Sequence, residues 1–238
     1  MKYTAIILAA GKGTRMNSTV HKQFLELDGY PLLYYTLQAF EQSIVDDIIL
    51  VTGEEETAYC RTEIVERYRF RKVKKIIHGG AERYLSVYQG LCAADDSDIV
   101  LIHDGARPFV TDAIIERTIQ AAIQYGSGIA AMPAKDTVKI VDEEQFSVRT
   151  PARDRVWMMQ TPQTFRYTQI RQAYEKVLEC QSQNITDDAM VLELASHESV
   201  KIVEGSYYNM KVTTPEDLLI ASAFVKKYKK IKKGIDRI

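Results

Sequence analysis

Three short segments concentrate residues able to handle phosphate. Gly11-Lys12-Gly13-Thr14-Arg15 follows the apolar run Ala5 to Ala10, Gly79-Gly80-Ala81-Glu82-Arg83 follows "VKKIIH", and Asp104-Gly105-Ala106-Arg107 follows "IVLIH". A Gly-x-Gly turn lets the backbone approach an anion and aim its amides at it. A dinucleotide fingerprint needs a third glycine at position 16, where Met16 stands, and the Gly-Lys-Ser/Thr of a P-loop is absent. The first loop instead carries its own cations, Lys12 and Arg15, with Lys22 a few residues on. That concentration suits a triphosphate; the plain alternative is a surface loop with scattered lysines. Asp104 is either a turn or cap residue, or a ligand for the magnesium that accompanies a nucleotide. Of the four histidines, His103 reads as packed at a strand end, and His21, His78 and His197 as surface residues. No Ser/His/Asp or Cys/His order stands out, so covalent catalysis is not indicated.

The elements that must position these loops alternate along the chain. Residues 5–10, 47–52, 73–80 and 98–108 read as strands, apolar throughout as in a sheet covered on both faces. Residues 31–43, 54–70 and 83–94 carry apolar residues at helical spacing between them. The result is an α/β fold with a mainly parallel sheet, helices on both faces and right-handed crossovers. Parallel strands deliver all three loops to the carboxyl edge of the sheet, where ligands bind in such folds. Residues 128–165 show strand-like alternation without a long helix and read as a β excursion, an arm at about 133–160. A helix at about 167–181, the segment 186–195, strands in "VKIVEG" and "NMKVT", and a closing helix follow. Thr214 before Pro215-Glu216-Asp217 reads as an N-cap.

Composition narrows the function classes. The chain has 238 residues, 46% apolar and 26% charged, with a formal net charge of −1. This is one domain with a proper core and no field favouring nucleic acid or membrane as partner. Cys60, Cys92 and Cys180 are far apart and odd in number, indicating neither a zinc site nor a disulfide framework, and suiting a reduced, cytoplasmic setting. The tail 226–238 holds seven basic residues and one acid and reads as a solvated helix end; a nucleic-acid or membrane patch is the alternative.

Taken in order, "LAAGKGTRM", "HKQF", "GGAERYLSV", "HDGARPF", "PAKDTVK", "QTPQTF", "TDDA" and "NMKVTTPEDL" span about residues 5 to 220. In these motifs the chain resembles the 2-C-methyl-D-erythritol 4-phosphate cytidylyltransferases of the non-mevalonate isoprenoid pathway. The ribitol-5-phosphate cytidylyltransferases share most of them; "TDDA" and "RDRVWMMQTPQ" look more like the methylerythritol enzymes. The resemblance implies a Rossmann-like nucleotidyltransferase fold, similar to glycosyltransferase A, with a protruding β arm. It implies CMP transfer from CTP to a polyol phosphate with Mg²⁺ bridging the triphosphate and no covalent intermediate. Catalytic charge on the α-phosphate is implied for Arg15, Lys22 and Lys211. Nucleotide contacts are implied for Ala9, Ala10, Gly11, Gly13, Gly80 and Ser86. Substrate contacts are implied for Asp104, Arg107, Thr137, Arg153, Thr161 and Thr186, with Lys211 shared. For Asp104 the family favours polyol hydroxyls over the metal. Thr137 and Arg153 lie on the arm, which in the family crosses to a second subunit, so a homodimer is implied; Arg155 is the alternative to Arg153. Two departures stand out. His21 replaces the family's proline before Lys22, and Ala81 replaces an aspartate found in some relatives. A non-catalytic nucleotide sensor is the reading from a different class, opposed by the retained cations.

Overall fold

The structure, a computed structural model, describes residues 1–11, 21–180 and 184–235, with 227–235 as backbone alone. Its first strand, β1 (Tyr3–Ala9), shows why the chain folds around it. Successive side chains point to opposite faces. Ala5, Ile7 and Ala9 enter one apolar cluster and Ile6 enters the other, all of them buried. A strand apolar on both faces has to be covered on both.

A hairpin follows, β2 (Glu26–Leu27) and β3 (Tyr30–Pro31), turning at Asp28 and Gly29, both with positive φ. Then come α1 (Leu32–Gln42), β4 (Asp47–Thr52), a helical turn α2 (Thr57–Tyr59) running into a π-helical stretch Cys60–Glu66, β5 (Val73–His78), α3 (Arg83–Ala93) and β6 (Ile99–Asp104). The second half contains α4 (Asp112–Tyr125), β7 (Ser127–Pro133), β8 (Ile140–Val141), β9 (Ser147–Arg149), β10 (Trp157–Arg166), α5 (Tyr167–Glu179), α6 (Asp188–Ser196), β11 (Ile202–Glu204) and α7 (Pro215–Ile235).

Seven strands form one sheet in the order β11-β7-β10-β6-β1-β4-β5. The pairings β1–β4, β1–β6, β4–β5 and β7–β11 are parallel, and β10 runs antiparallel to β6 and β7. One face is covered by α1, the π-helical stretch and α4, through Leu33, Leu37, Phe40, Ile64, Ile115 and Ile119. The other is covered by α3, α5 and α6, through Val87, Leu91, Ile170, Tyr174, Val191 and Leu192. A third cluster seats α7 on the hairpin and on the loop after β6, with Val212, Ala221 and Val225 against Leu27, Leu32, Ala106 and Phe109.

The α/β reading and the mainly parallel sheet hold, and three local expectations do not. Residues 127–133 and 157–166 are interior strands of the main sheet rather than arm, so the excursion shrinks to the β8–β9 hairpin and its stems. "NMKVT" is no strand; Val212 N–H donates to Ala106 O at 2.9 Å without a ladder. Residues 54–70 are not one α-helix but a short α turn and a π-helical stretch.

Candidate active site

Strands β1, β4, β5 and β6 share a direction, so their carboxyl ends open on one edge of the sheet. A cavity of about 580 Å³ lies there. Ala9, Ala10 and Gly11 come from the end of β1, Gly79, Gly80 and Ser86 from the β5–α3 turn and the first turns of α3, and Asp104 from the tip of β6. Lys22 and Lys211 reach it from the segments before the hairpin and before α7.

One end of the cavity is glycine-walled and tightly built. A Cβ placed on Gly79 would stand 2.6 Å from Ser86 Oγ and 2.7 Å from Ala10 Cβ, so only glycine lets these loops meet. Ser86 then holds the turn: its hydroxyl accepts from Gly80 N–H at 3.1 Å and faces the carbonyls of Gly80 and Glu82 at 3.3 and 3.1 Å. Buried Gln23 donates to Ala9 O at 2.6 Å and ties the Lys22 segment to the end of β1.

The other end is charged. Asp104 is buried among three cations, with Lys211 Nζ at 3.0 Å, Arg107 Nε at 3.4 Å and Arg83 Nε at 3.4 Å. Burial alone would raise its pKa; the charges of Arg83, Lys211 and Arg107 override that and hold the carboxyl well below its ordinary range. Arg83 also forms a two-pronged pair with buried Asp188, at 3.0 and 2.8 Å. Burial opposes the Arg83 charge, and the carboxylates of Asp188 and Asp104 outweigh it, raising its pKa well above the ordinary value.

A neutral hydrogen-bond chain stands behind Asp104. Its backbone N–H donates to Thr161 Oγ1 at 3.1 Å, and Thr161 Oγ1 lies 3.0 Å from His103 Nδ1. His103 Nε2 lies 3.2 Å from the Arg107 carbonyl, which can only accept. The proton therefore sits on Nε2, and Thr161 donates its own to Nδ1. Burial, against the raising effect of Asp104, pushes His103 down to about 3, so the ring is neutral under ordinary conditions.

Comparison with known proteins names this arrangement. The model of the 2-C-methyl-D-erythritol 4-phosphate cytidylyltransferase (IspD) family matches residues 3–227. Curated relatives of that name include one from Lachnoclostridium phytofermentans, 46% identical over 95% of this chain and 97% of its own length. Another, from Alkaliphilus oremlandii, is 47% identical over 94% of this chain and 95% of its own. The crystal structure of the 4-diphosphocytidyl-2C-methyl-D-erythritol synthase from Anaerococcus prevotii superposes with a TM-score of 0.83 at 37% identity, covering 94% of this chain and 96% of that one. The chain belongs to this family.

The cytidylyltransferase residues implied by resemblance distribute unevenly. Ala9, Ala10, Gly11, Lys22, Gly80, Ser86, Asp104 and Lys211 all line the cavity. Arg15 and Gly13 lie outside the described residues. Arg107 is nearly buried and donates to Asn209 O at 2.9 Å as well as pairing with Asp104. Thr161 is buried, its hydroxyl engaged by His103 and the Asp104 amide. Exposed Thr186 donates to Met190 Sδ at 3.5 Å, just before the start of α6. Thr137 and Arg153 are exposed on the arm stems and do not line the cavity; Arg153 donates to Lys135 O at 3.0 Å.

Arg83 and Gln23, which line the cavity, and Asp188 behind it are among the residues to which the sequence reading gave no role. Arg83 stood in the loaded loop and Gln23 in "HKQF", but nothing in the sequence shows that Arg83 meets a helix more than a hundred residues away. His21, at the position where the resemblance implied proline, packs its ring on Phe24 at 6.4 Å, and its Nδ1 lies 3.0 Å from Glu56 without forming a hydrogen bond.

Among the described residues no group of three acidic, histidine or cysteine side chains converges on a metal position. Asp104, for which a metal role stood open as the alternative, is ringed by three cations that repel a further one. The donor set therefore does not fit a protein-held Mg²⁺.

Proposed function

We propose that this chain transfers CMP from CTP to 2-C-methyl-D-erythritol 4-phosphate, in non-mevalonate isoprenoid precursor synthesis. A phosphate oxygen of the polyol attacks the α-phosphorus. The bond from that phosphorus to the bridging oxygen breaks, and pyrophosphate leaves with the electron pair. The observation that carries this reading is the two-ended cavity at the carboxyl edge, in a chain of this family. Its glycine-walled end admits a base and ribose against backbone, and its cationic end receives phosphate.

The nucleophile needs no general base, because a phosphate monoester is largely ionised near neutral pH. Catalysis reduces to alignment and to charge placed where the transition state gathers it. Lys22 and Lys211, with Arg15, supply that charge on this reading. Asp104 accepts from polyol hydroxyls while Arg107 and Thr161 hold it in place, and Thr186 is assigned to the polyol by resemblance alone. Mg²⁺ enters bound to the nucleotide, as part of the substrate.

The arm supplies the second subunit's share. Phe146 is 68% and Val148 67% exposed, with Ile140 and Val141 beside them, an apolar tip suited to burial against another copy. Thr137 and Arg153 on its stems would then enter the partner's site. Three free cysteines suit the cytoplasm, and among the described residues no helix is long and apolar enough to cross a membrane.

The test is pyrophosphate release from CTP and Mg²⁺ with each polyol phosphate in turn. Turnover with 2-C-methyl-D-erythritol 4-phosphate, at least a hundredfold above that with ribitol 5-phosphate, is the expected result. The reverse preference, or nucleotide binding without product, would reject the reading.

A further inference from the structure

Behind the cationic end of the cavity lies a second buried carboxylate whose partners come from two other helices, α3 and α5. Asp188 is the first residue of α6 and is fully buried. Its Oδ1 accepts from Arg83 Nη1 at 3.0 Å and from the Tyr174 hydroxyl of α5 at 2.6 Å; its Oδ2 accepts from Arg83 Nη2 at 2.8 Å. Its backbone N–H and that of Ala189 both donate to Gln163 Oε1 at 2.9 Å, and Gln163 Nε2 donates to Asp187 Oδ2 at 2.9 Å. The carboxylate therefore has no freedom to turn. Arg83 spends both terminal nitrogens on Asp188 and turns Nε to Asp104 Oδ1. Its side chain stays 30% exposed, toward the cavity.

We propose that Asp188, oriented by Tyr174, is a positioning residue that sets the polyol-phosphate half of the site through Arg83 and Asp104. The two carboxylates share three cations, Arg83, Arg107 and Lys211, leaving one net positive charge to face phosphate. Without Asp188 the Arg83 guanidinium would swing fully onto Asp104, competing with Lys211 and with polyol hydroxyls for the same oxygens. The nucleotide end has separate supports, since Ser86 holds Gly80 and Gln23 holds Ala9 with no bond to Asp188. Disturbing Asp188 should therefore split the two substrates. The inference rests on the reading of Asp104 as the polyol contact.

Asp188→Asn keeps the shape, leaves one acceptor oxygen for three donors and sets an N–H₂ group against another donor. It should raise KM for 2-C-methyl-D-erythritol 4-phosphate at least tenfold and leave KM for CTP within twofold. Tyr174→Phe removes a single hydroxyl from the chain of contacts and, acting only through Asp188 and Arg83, should move the polyol KM in the same direction by about three- to fivefold, the usual net worth of one ordinary hydrogen bond. This milder variant decides the matter should Asp188→Asn not fold, as judged by its thermal melt. Equal rises in both KM values, or no change in either for folded variants, would overturn the proposal. Asp104→Asn separates the layers. If it leaves the polyol KM unchanged, the reading of Asp104 fails and the inference falls with it. If it raises that KM while Asp188→Asn and Tyr174→Phe do not, the relay alone fails.

Discussion

Asp104 shows how one side chain is kept charged without being exposed. Its carboxylate is held down by three cations while its own amide feeds a neutral chain through Thr161 to His103. The price of that chain appears in acid. His103 titrates at about 3 in the folded protein and near its ordinary 6.5 when unfolded. Between those values the unfolded chain binds the extra proton, so stability is full above about pH 6.5 and falls as pH drops toward 3, by up to about 1.4 kcal/mol per pH unit. Asp104 adds its own loss only below about pH 5, where the unfolded carboxylate begins to take up a proton. Denaturant unfolding at a series of pH values should show this slope, and His103→Asn should flatten its upper part. These placements were only partly legible in the residues. His103 could be read as a packed strand end because it closes an apolar run. Its tautomer could not, because that depends on Thr161, which reaches it from a strand 58 residues away.

At the scale of elements, legibility followed the hydrophobic pattern. "DIILVT" reads as a buried strand and is one, Asp47–Thr52. β10 defeats the same rule. Gln160, Thr161, Gln163 and Thr164 are all buried, and the first three spend their polar groups on Ser206, Asn209, His103, the Asp104 amide and the start of α6. A central strand made of paired polar groups looks in sequence like an exposed arm. The closing helix was legible because its cap is local chemistry. Asp217 Oδ2 accepts from Thr213 N–H and Oγ1 and from Thr214 N–H at 2.8, 2.9 and 3.0 Å, and Thr214 Oγ1 accepts from Asp217 N–H at 3.3 Å. Asp217→Ala should therefore destabilise the protein by about 1–2 kcal/mol, lowering Tm by a few degrees in a calorimetric scan. The same cap fixes the stretch that presents Lys211, so turnover should fall in that variant even below its melting temperature.

At the scale of the molecule, the direction of β10 decides where everything else can be. Because it opposes its neighbours, the chain leaves β7 and re-enters β10 at the same edge where β1, β4, β5 and β6 end. Arm and cavity share that edge by topology. The register shows how little the sheet depends on what lies between. Pro133 stands opposite Trp157, and Ala134 N–H donates to Val156 O at 2.8 Å, so the two strands are already a closed ladder at their tips. A two-residue turn could join them in place of residues 135–155. The shortened chain should melt within a few degrees of the full one and still bind CTP in a calorimetric titration, yet release no pyrophosphate; retained turnover would show that the arm is dispensable. On the proposed reading of the arm as part of a second subunit's site, one excision would sever folding from turnover and yield a correctly built but inert protein, able to occupy nucleotide without consuming it.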